Sequence, residues 1–322
     1  MKMAILGAGK IAEIMANTIA DMDQVESYAI GARDLSRAQD FATRHGFEKA
    51  YGSYEEMLQD DNIDLVYIAI PHSHHYETIK LCLKYGKNVL CEKAFTVNAA
   101  QAREVLTLAK EKQLLLTEAI WTRYNPMRKV LDDLIDSGII GKVHSVTANL
   151  CYVLQDLERN KKPELAGGAL LDLGIYPLNF ACMVLKGQIK DIQSSAVMNQ
   201  YGVDDSNSML LIFDDGTTAT LHSSQLVSSE RGGYVYGSEG YIVVENINNV
   251  QGYRVYNRDH ELIKEVRTPK QITGYEYEVE ACIKALENGW LECPDMPHAE
   301  TLRMMETMDR IRAIWGMKYP ME

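Results

Sequence analysis

Gly7-Ala8-Gly9-Lys10-Ile11-Ala12 places two glycines and a small residue at the spacing G-x-G-x-x-A, directly after the apolar run MAIL and at the head of a helical stretch. The first glycine permits a tight turn, the second lets the backbone approach a pyrophosphate, and Ala12 lets strand and helix pack closely. A helix start adds free N–H groups and a partial positive charge. The pattern implies a dinucleotide, with Gly7, Ala8, Gly9, Lys10 and Ile11 around its phosphates. Where a second strand ends, an NAD site usually carries an acid for the ribose hydroxyls. Here Gly31-Ala32-Arg33 puts a guanidinium at that end, and Ser36 and Arg37 follow one helical turn later. These groups suit the 2′-phosphate of NADP through charge-assisted bonds. Asp34 keeps NAD open as the alternative, since its carboxylate could reach a ribose; it also reads as a helix N-cap.

Ile70-Pro71-His72-Ser73-His74-His75 follows the run LVYIAI. Ligands gather at the carboxyl ends of strands in such sheets, so Ile70, Pro71, His72 and His75 are expected to contact the cofactor. Three histidines in four positions invite a metal reading, but no carboxylate or thiol pattern accompanies them and no metal is expected. Cys91-Glu92-Lys93-Ala94 closes the next strand. A lysine there could hold a substrate hydroxyl and shift its acidity; from the residues alone, an exposed strand-end lysine is the plainer reading. Asp172 and Tyr176 stand four apart and would share one face of a helix, although Pro177 biases Tyr176 away from helical geometry. Taken alone they read as a cap and a core aromatic. Trp121 and Arg123 follow the last of the N-terminal strands and are expected to face a cleft, the indole as a stacking wall, with packing between domains as the alternative.

The elements that must position these residues change character along the chain. Up to about Ala119, short apolar runs alternate with amphipathic stretches: MAIL, YAIGA, LVYIAI, NVLCE and LLLTEA as strands, with helices from Ile11, Asp34, about Ser73 and about Asn98. This alternation means parallel βαβ units. After Trp121 a helix of about 126–137 ends at Gly138, and then alternating runs (VHSVTANLCY, SMLLIFDD, TTATLHSSQL, YVYGS, YIVVEN) are separated by glycine turns. They predict a mostly antiparallel sheet, interrupted by a helical apolar stretch over 167–185 and followed by helices from about Tyr275 and His298. The expected architecture is an N-terminal Rossmann parallel sheet over 1–120, then a C-terminal α+β domain over 121–322 built on a large, open, mostly antiparallel sheet. The 322 residues fit two such domains. The net charge of −12 disfavours nucleic acid and anionic membrane surfaces as partners. Six cysteines lie at irregular gaps with no C-x-x-C pair, which suits reduced, buried thiols in a cytoplasmic protein. The N-terminal run reads as a strand, not a signal peptide, and no uninterrupted apolar stretch is expected to cross a bilayer.

The glycine fingerprint, Glu92-Lys93, EAIWTRYNP over 118–126 and GGALLDLGIYP over 167–177 occur in this order. Together they resemble the Gfo/Idh/MocA family of sugar and polyol oxidoreductases, along essentially the whole chain. Arg33, the Trp121-Thr122-Arg123 segment, and Tyr176 where most members have histidine are similar to its dihydrodiol dehydrogenase and NADP-linked D-xylose dehydrogenase branch. The resemblance implies an NADP-dependent dehydrogenase acting on CH–OH groups of a sugar, polyol, diol or dicarbonyl. It implies Lys93 beside the nicotinamide and substrate, with Glu92 at the cofactor, Tyr176 as acid/base, and Asp172 orienting Lys93 or binding substrate with Trp121 and Arg123. It also implies a homodimer through the outer face of the C-terminal sheet. The family's Glu-Lys-Pro is Glu-Lys-Ala here, so Ala94 lacks the turn that proline imposes. A non-catalytic dinucleotide sensor of the same fold is the competing reading.

Overall fold

The computed structural model describes residues 1–322 and divides into two compact units, 1–120 with 271–305, and 121–270 with 306–322. The sequence pattern placed everything after residue 120 in one C-terminal domain; by its contacts, the segment Gln271–Met305 instead belongs with the first unit. Its helix Glu276–Glu287 buries Val279, Cys282 and Ala285 along one face, so it needs an apolar surface that no local signal names.

The first unit is a six-stranded parallel sheet: β1 (Lys2–Leu6), β2 (Glu26–Gly31), β3 (Lys49–Tyr51), β4 (Leu65–Ile68), β5 (Asn88–Glu92) and β6 (Leu116–Ala119). The order is β3-β2-β1-β4-β5-β6, which reverses direction between β1 and β4. Such a reversal opens a crevice at the carboxyl ends of the strands. The central strands are buried on both faces, with Met3 to Leu6 and Leu65 to Ile68 fully inaccessible. That is why their sequences read as unbroken apolar runs. β3, three residues long, carries no comparable pattern and was not anticipated.

The second unit is an eight-stranded sheet made of β7 (Val143–Cys151), β8 (Ile189–Met198), β9 (Asp204–Phe213), β10 (Thr218–Ser224), β11 (Gly233–Gly237), β12 (Gly240–Glu245), β13 (Gly252–Asn257) and β14 (Leu262–Arg267). The order is β14-β13-β12-β11-β7-β10-β9-β8, antiparallel except where β7 and β10 run parallel. β8, β13 and β14 escape the sequence reading. β8 and β14 are the sheet edges, and their side chains are mostly half-buried or exposed, which removes the alternation that marks a half-buried strand. On β9 the residues Asn207, Met209, Leu211 and Phe213 point to the core, as do Ala219, Leu221 and Ser223 on β10.

The run Pro163–Val184 is, by length and composition, apolar enough to cross a membrane, contrary to the expectation from uninterrupted runs. Its most apolar window is wholly buried within the fold, so core packing accounts for it. Its middle is a π turn, Leu170–Gly174, followed by the helix Ile175–Val184. Pro177 follows in a backbone that stays helical through Gly174, so it removes one N–H from a continuous helix and its ring crowds the carbonyl four residues earlier. The wide turn just before it is the observed form of the break that Pro177 predicts.

One carboxyl in this core is fully buried. Asp204 accepts hydrogen bonds from the Leu170 backbone N–H and the Asn207 amide, both at 2.8 Å. Burial nevertheless pushes its pKa up to about 7, and neighbouring Asp205 adds to the rise, while Tyr319 is the other titratable group whose electrostatics involve it. The folded chain therefore keeps a proton that the unfolded chain releases at ordinary acid pH. Stability from this group is present at low pH and falls as pH rises to about 7. Asp204→Asn removes that loss. Its stability relative to the parent is expected to grow by up to about 1.4 kcal/mol per pH unit between about pH 4 and 7, then level off. Thermal or urea unfolding of both proteins across that range tests this; a gap independent of pH would refute it.

Candidate active site

The glycine turn follows β1 and opens the helix Lys10–Ala20. Gly7 has φ +102°, and a Cβ there would lie 2.4 Å from the Ala69 carbonyl oxygen, so both backbone shape and space demand glycine. Gly9 differs. A Cβ on it would meet nothing within 4 Å, and no side chain caps the helix start. Open space above uncapped N–H groups at a helix N-terminus fits the phosphates of a dinucleotide. Ala12 is fully buried, as close strand–helix packing requires.

At the end of β2, Asp34 is turned back on its own helix, Leu35–His45. Its Oδ1 accepts from the Ser36 N–H at 2.8 Å, the Ser36 hydroxyl at 2.7 Å and the Arg37 N–H at 3.4 Å. The Ser36 hydroxyl and these backbone donors hold its carboxyl below the usual carboxylate range. Arg33, Ser36 and Arg37 are exposed around it. Arg37 Nη2 reaches the Ala8 carbonyl at 3.4 Å, which ties this corner to the glycine turn. Burial raises the Tyr54 phenol against the pull of Arg33 and Arg37, and burial with the Arg33 charge lowers the His74 imidazole. Two arginines, Tyr54 and His74 thus share one electrostatic neighbourhood.

Past β4, His72 is buried and begins a short 3₁₀ turn, His72–His74, and the helix His75–Lys84 follows. His75 is fully buried, with one ring nitrogen 2.8 Å from the Ile70 carbonyl and the other 2.8 Å from that of Ala94. Burial lowers its pKa. Expected at the cofactor, His75 lies between the strand end at Ile70 and the residue after Lys93, and its one ring N–H can donate to one of these two carbonyls.

Glu92 ends β5 in a buried position. It accepts the Tyr67 phenolic hydrogen on Oε1 and the Lys93 N–H at 3.2 Å on Oε2. Lys93 is half-buried, and its peptide bond to Ala94 is cis. Glu278, from the segment that returns to this unit, is fully buried. Burial and the Glu92 charge hold its carboxyl well above the usual range. Nothing in the local sequence around Glu278 announces it, because the carboxylate that acts on it, Glu92, is nearly two hundred positions away.

In the second unit Asp172 lies in the π turn and Tyr176 in the helix after it; both are buried. Asp172 Oδ2 accepts from the Asn160 amide at 2.8 Å and from Arg159 Nη1 at 3.2 Å. Asn160 and Arg159, absent from the sequence reading, come from the short helix Glu158–Lys161 before the motif. Trp121 to Arg123 form a 3₁₀ turn. Trp121 is half-buried, whereas Arg123 is 2% exposed and donates through Nε to Asn179 Oδ1. Asn179 in turn donates to the Ile175 carbonyl at 2.8 Å. Arg123, expected at the substrate, thus bonds through its Nε to the helix of Tyr176.

The fold and this set of residues define a dinucleotide-binding oxidoreductase, and comparison with known proteins agrees. Residues 1–120 match the family described as "Oxidoreductase family, NAD-binding Rossmann fold", and residues 129–243 match the "GFO/IDH/MocA C-terminal domain". The chain belongs to the Gfo/Idh/MocA family. It is 33% identical over 332 residues to the trans-1,2-dihydrobenzene-1,2-diol dehydrogenase of Sus scrofa and 32% identical over 335 residues to that of Homo sapiens, covering 100% of this chain and 99% of each relative. Among solved structures, the 3-ketoreductase KijD10 of Actinomadura kijaniata, in complex with NADP and TDP-benzene, superposes with a TM-score of 0.87 at 25% identity, covering 97% of each chain.

Gly7→Ala and Gly9→Ala are expected to separate folding from binding. Gly7→Ala forces a strained φ and a backbone clash and should cost about 1–3 kcal/mol of stability or more. Gly9→Ala should cost no more than about 1 kcal/mol, the penalty for alanine at an N-cap, while weakening dinucleotide binding. Thermal melts and fluorescence titration with NADPH read the two effects; equal melting losses in both variants would contradict the assignment.

Proposed function

We propose that this protein is an NADP-dependent dehydrogenase that moves a hydride between nicotinamide and a hydroxyl or carbonyl carbon of a sugar, polyol, trans-diol or dicarbonyl. The observation that carries the reading is a pair of motif ends, each fixed by its own unit. One is Lys93 at the carboxyl edge of a parallel dinucleotide sheet. The other is Asp172 and Tyr176, buried four residues apart on a widened helical turn. The end-to-end likeness to dihydrodiol dehydrogenases supports it.

Bound nicotinamide supplies the hydride acceptor or donor. Tyr176 passes the proton of the substrate hydroxyl. A free phenol has a pKa near ~10, too high for a base at neutral pH, so this reading requires a cation, for which Lys93 is the proposed source, to stabilise the phenolate. Asp172, held by Asn160 and Arg159, orients Lys93 or a substrate hydroxyl. Trp121 offers an apolar wall to the substrate. NADP is preferred over NAD because Asp34 is consumed by its helix cap, while Arg33 and Arg37 stay open to a 2′-phosphate.

A second copy of this chain is the proposed partner of the sheet's outer face. Tyr241 stacks on Tyr256 with ring centres 5.0 Å apart and Tyr234 on Tyr236 at 5.8 Å, all on the face opposite buried Val235, Ile242 and Val244. The proposed compartment is the cytoplasm, which six buried free thiols support.

NADPH oxidation with a panel of aldoses and dicarbonyls tests the activity. Tyr176→Phe and Lys93→Met are expected to lower kcat by about 10²–10⁴-fold with NADPH binding retained. Arg33→Ala should weaken NADPH binding by about 10- to 100-fold, from loss of a charge-assisted bond, and leave NADH binding nearly unchanged. Tight NADPH binding without turnover across the panel would favour the sensor instead.

A further inference from the structure

The turn that carries Asp172 rests on a row of buried polar groups, and we infer that Asp204, Asn207 and Ser223 are positioning residues that set Asp172 and Tyr176 for the reaction. The inference rests on the roles assigned to that pair above.

The row is continuous. Ser223 donates to Asn207 Oδ1 at 3.0 Å, and these two residues face each other across β9 and β10. Asn207 donates to Asp204 Oδ2 at 2.8 Å, and the same oxygen accepts the N–H of Leu170, the first residue of the π turn, at 2.8 Å. The row also touches both sides of the turn closely. A Cβ on Gly168, just before it, would lie 2.4 Å from Asp204 Oδ1, and one on Gly174, its last residue, would lie 3.0 Å from Ser223 Oγ. Gly168 has φ +109°, so only glycine suits that entry. The Tyr319 hydroxyl donates to the Gly167 carbonyl at 2.5 Å, next to Gly168.

The placement of these polar groups is informative. Core-facing positions of β9 read Asn207, Met209, Leu211, Phe213, and those of β10 read Ala219, Leu221, Ser223. Both rows turn from apolar to polar at the end that meets the π turn. Asp204, Asn207 and Ser223 are at most 2% exposed. Burying an amide, a hydroxyl and a carboxyl costs free energy that an apolar side chain would not. Apolar packing would fill the space but would let a helical turn shift or rotate, whereas directional bonds to one N–H, with glycines pressed against two oxygens, hold it in one place. Asp172 is the third residue of that turn and Tyr176 lies two beyond its end, so any shift of the turn moves both.

The test uses the full chain labelled with ¹³Cζ-tyrosine, in which the Tyr176 resonance is identified by its loss in Tyr176→Phe. Asp204→Ala is expected to move that resonance and to lower kcat, for the aldose or dicarbonyl the parent reduces fastest, by about 10- to 100-fold. The affinity for NADPH should be unchanged. Asp204→Asn keeps an acceptor for the Leu170 N–H and should restore both the resonance and most of kcat. If Asp204→Ala does not fold, Ser223→Ala is expected to show the same direction with a smaller amplitude. A parent that turns over nothing on the panel would sink the catalytic reading alone, since the resonance still reports the cradle. An unmoved Tyr176 resonance in the variants that fold, or an Asp204→Asn as impaired as Asp204→Ala, would overturn the inference.

Discussion

Three strand ends of the first unit meet at Gly7. Its N–H donates to the Gly31 carbonyl at the end of β2, and one residue earlier the Leu6 carbonyl accepts from Ala69 just past β4. Its α-carbon lies against the Ala69 carbonyl, with no room for a side chain. The crevice of a doubly wound sheet opens between its two diverging halves, and here the backbone closes around that point through hydrogen bonds and one close approach. The helix start at Gly9, the arginine corner after β2 and the histidine turn after β4 all take their positions from it. A larger residue at Gly7 would disturb not one turn but the relative placement of every group around the phosphates.

The residues expected to do chemistry are held by neighbours with no chemistry of their own. Glu92 is pinned by the Tyr67 phenol and the Lys93 N–H, and His75 lies between the carbonyls of Ile70, past β4, and Ala94, past β5. In the second unit Asp172 is gripped by Asn160 and Arg159, and the helix of Tyr176 by Arg123 through Asn179. Each is a buried polar group satisfied by a partner from another segment, which is how a low-dielectric interior keeps such groups in single orientations. Arg123 illustrates the consequence: a residue whose type suggests ligand binding also ties the turn after β6 to the helix of Tyr176.

Asp34 shows the same logic at the surface. A carboxylate at the end of β2 is ambiguous in chemistry, since it can take ribose hydroxyls or cap a helix. Three donors from its own first helical turn, all within 3.4 Å, resolve it as a cap. The neighbouring guanidiniums then define the charge of that corner.

Periodicity and local motifs were enough to establish the parallel βαβ half, the glycine turn and its helix, the break near Pro177, and the order of the motifs along the chain. Those features depend on interactions between residues a few positions apart, which leave a regular trace in sequence. The return of Gln271–Met305 to the first unit, the edge strands β8 and β14, Glu278 beside Glu92, and the polar row beneath the π turn left no such trace. Each depends on a partner brought close only by folding. Edge strands β8 and β14 lack the one buried face whose alternation makes a pattern, and a buried carboxyl or amide looks in sequence like any surface residue until the group that satisfies it is known.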